Sequence, residues 1–160
     1  MRGLSLVRGA LLALVVVMLS GCGYNQIQSK DEAAKAGWSE VLNQYKRRAD
    51  LIPNLVATVK GYAAHEAQVL TAVTEARAKV SQINVNADDA ASLAQYQAAQ
   101  GELSQALGRL MMVTEAYPNL KADQQFIGLQ TQLEGTENRV TVARGRYIQL
   151  VQDYNTYIRQ

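Results

Sequence analysis

Apolar residues recur along the chain with the spacing of helices that bury one face. Between Asp31 and Ile83, every seventh position forms a row of large apolar side chains with one exception, Glu66. The members of this row are Trp38, Tyr45, Ile52, Val59, Glu66, Val73 and Val80. A seven-residue repeat is typical of amphipathic helices that pack on other helices. The pattern therefore predicts one long helical run over residues 31–83.

Two further helices are predicted after a loop at residues 84–88, in which Asp88 is the expected N-cap. The second helix covers residues 89–116, with Tyr96, Leu103, Leu110 and Tyr117 in one row. The third begins with Asp123 as its cap, extends to about Ile158, and carries the row Phe126, Leu133, Val140, Tyr147 and Tyr154. Three long helices with short connections predict an all-α, antiparallel up-and-down bundle.

Pro53 interrupts the first predicted helix. Proline lacks an N–H donor, and its ring disfavours helical geometry at Ile52. Because Pro53 falls on the solvent side of the pattern, a kink that leaves the Ala49 carbonyl to water is one interpretation. A full reversal is the other, since a straight helix of this length would span about 80 Å, twice the second helix. The bundle is therefore countable as three helices or as four.

The first 21 residues have the pattern of a lipoprotein signal peptide. Arg2 and Arg8 form a basic segment before a ten-residue apolar run at residues 10–19. This run is shorter than the ~20 residues that a bilayer core requires. The sequence Leu-Ser-Gly-Cys at residues 19–22 matches the box at which bacterial lipoproteins are cleaved and acylated. Cys22 is the single cysteine of the chain, and its use as the lipid attachment site explains that count. An uncleaved anchor is the alternative.

We expect residues 22–29 to form a polar tether and residues 30–160 to form the helical domain. Two or three acyl chains on Cys22 hold a protein stably on a membrane. Gly23 stands where an Asp favours the inner membrane of Gram-negative bacteria, which points towards the outer membrane. The expected location is the cell membrane or the outer membrane, facing the periplasm or the exterior.

The charge balance argues against nucleic-acid binding. The chain has 16 Lys and Arg against 14 Asp and Glu, and Arg2 and Arg8 lie in the predicted signal peptide. The mature chain is then neutral, whereas nucleic-acid-binding domains carry a basic surface. The basic segment at residues 46–48 is interpreted as a solvated face in which Arg47 or Arg48 pairs with Asp50; contact with lipid headgroups is the alternative.

Little in the sequence indicates metal or catalytic chemistry. His65 is the single histidine, whereas a zinc-protease helix needs two and a di-iron bundle needs Glu-x-x-His on each of two helices. No metal or cofactor is expected, and His65 is interpreted as a surface residue. Glu66 interrupts the apolar row, so it is either a buried, register-setting carboxylate or a carboxylate open to water at the end of the core. The candidates for a basic partner are Arg109, Arg139 and Arg144.

Six glycines occupy outward helical positions: Gly61, Gly101, Gly108, Gly128, Gly135 and Gly145. Each costs a helix interior about 1 kcal/mol relative to Ala, so we expect another backbone to pack against them. On the third helix we expect this contact within the fold, on the face with Ile127, Val142 and Ile148. On the second helix, the strip of Gly101, Gly108, Met111 and Met112 is a tentative binding surface for another protein.

Three stretches of the chain together resemble the LemA family of bacterial envelope proteins. They are residues 48–66, which include Arg48-x-Asp50-Leu51-Ile52-Pro53-Asn54 and His65-Glu66; residues 107–122, with Glu115-Ala116-Tyr117-Pro118-Asn119; and residues 130–155, with Glu137-Asn138-Arg139. The resemblance implies an up-and-down helical bundle, usually counted as four helices, outside the cytoplasmic membrane. It also implies structural roles for Arg48, Asp50, Pro53, Asn54, His65, Glu66, Glu137, Asn138 and Arg139.

Two features depart from the family pattern. Many LemA-like proteins use an N-terminal membrane helix, and members usually continue past Tyr154-Asn155 with Phe-Pro and an apolar tail. Here the sequence stops at Gln160, so we expect a tail function to be absent or truncated. The family has no settled biochemical activity, so the resemblance supplies no catalytic residues.

We therefore expect a membrane-anchored, non-catalytic binding or scaffold protein. Its partner would be another envelope protein, such as a membrane protease, or a second copy of the chain. The alternative is an enzyme or a small-ligand-binding bundle that uses Glu66 and neighbouring Arg and Tyr residues.

Replacing Cys22 by Ser should leave an unprocessed precursor, because acylation of the thiol precedes cleavage in this class of protein. Mass spectrometry of the wild-type N-terminus should find acylated Cys22 as the first residue. An unmodified Cys22 in the wild type would contradict the assignment.

Overall fold

A computed structural model describes residues 2–86 and 89–159, with side chains from residue 24 onward. Within these residues all regular structure is helical, as the apolar pattern predicts. The helices are α1 (Arg2–Tyr62), α2 (Ala67–Gln82), α3 (Ala90–Thr114), α4 (Pro118–Lys121) and α5 (Gln124–Tyr157). The predicted signal peptide and the predicted acylation site, Cys22, fall before residue 24, outside the part of the chain whose side chains are described.

The chain forms two compact units, and α1 and α5 contribute residues to both. The smaller unit consists of Met1–Ser39 and Arg144–Gln160. In it the Trp38 ring packs on the Tyr147 ring with centroids 5.3 Å apart. A Cβ atom added at Gly37 would stand 2.7 Å from Cδ1 of Leu150. Gly37 therefore lies where α1 and α5 approach closely, and an added methyl group would require Leu150 to shift.

The larger unit, Glu40–Ala143, has a core built from the predicted apolar rows. Tyr45 and Tyr96 meet edge to face with ring centroids 5.6 Å apart, a favoured aromatic geometry. The row members that are buried in this unit are Tyr45, Ile52, Val59, Val73, Val80, Tyr96, Leu103, Leu110, Phe126, Leu133 and Val140. Burial of these rows is the main favourable contribution to folding of the unit.

The chain first leaves helical geometry at residues 63–66, well beyond Pro53. The interpretation of a full reversal at Pro53 is wrong, because α1 passes through that residue and ends at Tyr62. Glu66, the polar exception in the apolar row, stands at the N-cap of α2 without a side-chain capping bond. A continuous helix would place this carboxylate in the core, where burial of a charge is costly. Ending the helix there keeps Glu66 half-buried.

Pro53 leaves one backbone carbonyl without its helical donor. In a regular helix the N–H of residue 53 would bond the Ala49 carbonyl, and proline has no N–H. Arg77 of α2 replaces it, because its Nε donates to the Ala49 carbonyl oxygen at 2.9 Å. Pro53 is exposed as predicted, but a neighbouring helix, where the sequence analysis expected water, satisfies the freed carbonyl.

The N-termini of α3 and α5 follow capping rules. Asp123 accepts hydrogen bonds from the backbone N–H groups of Gln125 at 2.8 Å and Phe126 at 2.9 Å, which confirms the predicted cap. Asp89 caps α3 by accepting from the Ala91 N–H at 2.9 Å, whereas Asp88 lies outside the described residues. The short helix α4 has proline in its first turn, a favoured position, and it lies between the second and third predicted helices, where no helix was predicted.

α1 also includes residues 24–29, before the predicted start near Asp31. The apolar period is absent from this segment, so the sequence analysis assigned it to a tether. Gln is nevertheless a good helix former, and no proline interrupts the segment. A helix can therefore continue through it without an apolar face.

The outward glycines meet open space. A Cβ atom added at any of them would find no side chain or distant backbone within 4 Å: Gly61, Gly101, Gly108, Gly128, Gly135 and Gly145. The predicted contact within the fold on α5 is wrong, because Ile127, Val142 and Ile148 are 41%, 72% and 51% exposed. The inward rows of α5 supply its core contacts, which leaves this face uncovered by the described residues.

Replacing Gly128 and Gly135 by Ala should each raise the free energy of unfolding by about 0.5–1 kcal/mol, because alanine holds a helix better and the methyl group meets no neighbour. Denaturant unfolding followed by circular dichroism measures the change. Gly37→Ala is the matched control, and it should gain less because Leu150 must move. Destabilisation at Gly128 or Gly135 would reveal a contact that the open face does not contain.

Candidate functional site

The polar centre of the larger unit is Arg48 of α1, whose surface is 2% exposed. It occupies the same seven-residue row as Val41 and Leu55, which are also buried. Its guanidinium carbon lies 5.3 Å from the centroid of the Tyr45 ring, within cation–π range. The helical period that builds the core thus places a permanent charge inside it.

Partners from two other helices surround this guanidinium. Nη1 forms an ion pair with Glu137 of α5 and donates to Oγ of Ser104 of α3 at 3.0 Å. Nη2 donates to the side-chain oxygen of Gln100 and to its backbone carbonyl, the latter at 3.4 Å. A planar fork with five donors is suited to such divided partners. One side chain of α1 therefore connects α3 and α5.

The predicted pairing of Arg47 or Arg48 with Asp50 on a solvated face is wrong for Arg48. Residues two apart on a helix do not face each other, and Asp50 is exposed while Arg48 is buried. Arg47 is exposed and forms no ion pair among the described residues. The basic segment at residues 46–48 therefore contributes two surface cations and one core cation.

Burial of the Arg48 charge costs several kcal/mol, which pairing and hydrogen bonds must offset. The side chain of Glu137 is still 44% exposed. Within the described part of the chain, Nε of Arg48 is buried without a hydrogen-bond partner. Such a network adds little net stability, but loss of one partner leaves an uncompensated charge. Its physical effect is to favour the one alignment of α1, α3 and α5 in which the partners meet.

Two tyrosine–carboxylate hydrogen bonds join the loops near the end of α1. Tyr62 Oη donates to Asp123 at 2.7 Å, and Tyr117 Oη donates to Glu66 at 3.0 Å. The bond to Asp123 raises the pKa of Tyr62, and the bond to Glu66 raises the pKa of Tyr117. Glu66 thus has a tyrosine partner where the sequence analysis expected an arginine.

The remaining predicted residues lie outside the Arg48 network. His65 is exposed on the turn before α2, as interpreted from the sequence. The Asn54 carbonyl accepts from the Thr58 hydroxyl at 2.9 Å, one turn along α1. Of the nine residues to which the family resemblance assigns structural roles, the exposed ones are Asp50, Pro53, Asn54, His65, Asn138 and Arg139. Of the nine structural-motif residues, the structure brings Arg48 and Glu137 together.

The α3 strip, defined by Gly101, Gly108, Met111 and Met112, is an open surface of the larger unit. Met112 is 69% exposed, and Met111 is partly exposed. A Cβ atom added at Gly101 or at Gly108 would meet no side chain or distant backbone within 4 Å. A flexible Met side chain beside two small residues can adapt to an approaching protein surface.

Sequence reasoning missed Gln100 and Ser104. Gln100 was detectable, because it lies seven residues before the apolar Leu107 and therefore shares its helical row. In the structure both residues are buried. Ser104 is exposed and has no distinguishing pattern. Within the described ranges, no group of side chains suited to hold a metal ion is found. No helix in those ranges has a segment both long and apolar enough to cross a membrane.

Comparison with known proteins gives one family and one distant relative of note. Residues 37–160 match the model of the LemA family. Protein LemA of Metamycoplasma hominis is 25% identical over 134 residues, which cover 84% of this chain and 55% of that protein. The chain thus spans about half the length of this curated relative.

Glu137→Gln should lower the free energy of unfolding by about 3 kcal/mol, because it leaves the Arg48 charge buried without its anion. The combined variant Arg48→Met with Glu137→Gln should recover part of that loss. Glu102→Gln is the matched control, since it breaks an ion pair with Lys79 in which both side chains are about half exposed. Its effect should stay within about 1 kcal/mol.

Denaturant unfolding at neutral pH measures all three variants. Equal effects of Glu137→Gln and Glu102→Gln would contradict the assignment of Arg48 to the core.

Stability should fall in acid through Asp123. The backbone N–H of Phe126 lowers the pKa of this carboxyl, with help from the Tyr62 hydroxyl and the Gln125 N–H. A group with a lowered folded-state pKa stabilises fully above its unfolded pKa, and the contribution disappears as pH falls through the folded value. The stability difference between wild type and Asp123→Asn should therefore be largest near pH 6 and shrink below about pH 4. A difference that does not change with pH would contradict this origin.

Proposed function

Because the chain belongs to the LemA family, whose model matches residues 37–160, we propose that it is a membrane-anchored envelope lipoprotein that binds other envelope proteins without catalysing a reaction. The proposed anchor is acylated Cys22, which the signal-peptide pattern and the box at residues 19–22 support. The proposed position is at the cell membrane or the outer membrane, facing the periplasm or the exterior.

We also propose that the larger unit is an up-and-down bundle. Arg48 of α1 pairs with Glu137 of α5, and Tyr62, later in α1, bonds Asp123 just before α5. The residue numbers of the contacts increase along α1 while they decrease along the segment of Asp123 and α5, which is the pattern of antiparallel neighbours. The order is also reversed between α2 and α3, where Lys79 pairs with Glu102 and Glu66 bonds Tyr117.

The observation that carries the binding role is the open α3 strip. Glycine weakens a helix, and neither Gly101 nor Gly108 has a neighbour within the fold that would require it. The exposed Met112 adds an apolar contact surface. By contrast, the Arg48 side chain is buried and its guanidinium is engaged by residues of α3 and α5. These features favour recognition through the surface over chemistry at the centre.

The proposed partner is another envelope protein, and a second copy of the chain is the alternative. Acyl chains at Cys22 would confine the protein to the membrane surface, where partners meet at high effective concentration. The α3 strip would then need only a modest contact area for a stable complex.

The alternative function is binding or turnover of a small ligand by Glu66. The hydrogen bond from Tyr117 gives this half-buried carboxylate a defined position. Glu66→Gln distinguishes the two functions, because it should abolish a ligand-based activity and leave capture of a protein partner unchanged.

A cysteine at Gly108 tests the binding role in intact envelopes. Because Cys22 would be acylated, the thiol in Gly108→Cys would be the only free one, and a maleimide–benzophenone photocrosslinker attached to it should crosslink the chain to the partner. Lys79→Cys is the control, since Lys79 is 55% exposed on α2 outside the strip. Mass spectrometry of the adduct separates a second copy from a different protein. Equal labelling of both variants by a bulky maleimide, with no crosslink at either, would contradict the proposal.

A further inference from the structure

A groove of about 360 Å³ lies in the larger unit beside the hydrogen bond between Arg77 and the Ala49 carbonyl. Residues of α1, the end of α2, the following loop and Tyr96 of α3 line it. Leu42, Ile83 and Val85 are partly exposed along its wall. The groove therefore offers apolar surface that remains in contact with water. Its volume falls at the lower end of the ~300–1,000 Å³ range of small-molecule sites.

Arg77 is held in a fixed orientation at this groove. Its Nε is used by the Ala49 carbonyl, which is available because Pro53 supplies no helical donor. Among the described residues, Arg77 forms no ion pair. The two Nη groups thus remain as an oriented pair of charged donors, the geometry that binds a carboxylate through two parallel hydrogen bonds.

The charged side chains along the groove determine which net charge a bound ligand should have. Among the described residues, the charged ones that line it are Lys46, Asp50 and Arg77, which gives two cations, one anion and a formal excess of one positive charge. Lys46 and Asp50 are exposed, whereas Arg77 is partly buried. A monoanion would neutralise the excess, and partial burial of Arg77 strengthens its interaction with such a ligand.

We propose that this groove binds a small organic carboxylate, with its anionic group on Arg77 and its apolar body against Leu42, Ile83 and Val85. This site is separate from the α3 strip and from Glu66. A purely structural Arg77 would need only its Nε, to complete the helix at Pro53. A ligand site needs the Nη groups, the second cation Lys46 and the apolar wall.

Photolabelling of the full chain in native membranes tests the site. The probe is 3-phenylpropanoate with a diazirine on its ring, and digestion followed by mass spectrometry locates the label. We expect label on peptides from residues 42–50 or 77–85. Unlabelled 3-phenylpropanoate should compete, and 3-phenylpropanamide should compete at least tenfold more weakly because it lacks the charge. Stronger competition by octanoate would identify an aliphatic acid as the preferred source of the same carboxylate.

Charge-matched variants separate ligand binding from helix repair. Arg77→Gln should reduce specific labelling about tenfold, and Lys46→Gln, which leaves the bond to Ala49 in place, about threefold. Lys79→Gln removes the same charge from α2 outside this groove and should leave labelling unchanged. Equal competition by the amide, label confined to other regions, or unchanged labelling in Lys46→Gln and Arg77→Gln would each overturn the proposal.

Discussion

The Arg48 guanidinium is the constraint on which the larger unit depends. A permanent charge with 2% exposure is tolerated only where an anion and several acceptors meet it. Glu137, Gln100 and Ser104 provide these groups from α5 and α3. Apolar rows of Leu, Val and Ala permit neighbouring helices to slide by a turn at modest cost, because one aliphatic contact resembles the next. The Arg48 partners do not repeat along the helices, so the polar contact favours a single register.

Arg48 and Arg77 form hydrogen bonds of two different kinds in the larger unit. Arg48 meets side chains of other helices, whereas Arg77 completes the backbone of α1 where Pro53 removes a donor. Tyr62 and Tyr117 each donate a hydrogen bond to one carboxylate next to a loop. These four interactions therefore lie where the helical pattern has an exception: a charge in an apolar row, a proline inside a helix, or a turn. The surface that these interactions leave open includes the α3 strip and the Arg77 groove.

The sequence predicts the helical class, the apolar rows and the Asp123 cap, because each depends on local periodicity or capping chemistry. It leaves Pro53 open between a kink and a reversal, and it misses the break before Glu66, where the first predicted helix ends. Arg48 was misplaced because its charge suggested solvent, although its row with Val41 and Leu55 indicates the core. The outward glycines also misled, since their cost to a helix does not identify what covers them. Arg77 has no local signal, because its partner carbonyl lies on another helix.

A single register of the larger unit requires Arg48 to be buried and held by its partners while the adjacent Arg47 is solvated. Nitrogen-resolved NMR of the arginine side chains in the full chain measures this directly. Slow rotation and slow hydrogen exchange of the guanidinium should give Arg48 separate, persistent Nη signals at neutral pH, because its donors are engaged by Glu137, Gln100 and Ser104. The Nη signals of Arg47 should be averaged and should exchange rapidly with water. Averaged, rapidly exchanging signals from both residues would contradict the buried network and the register that it sets.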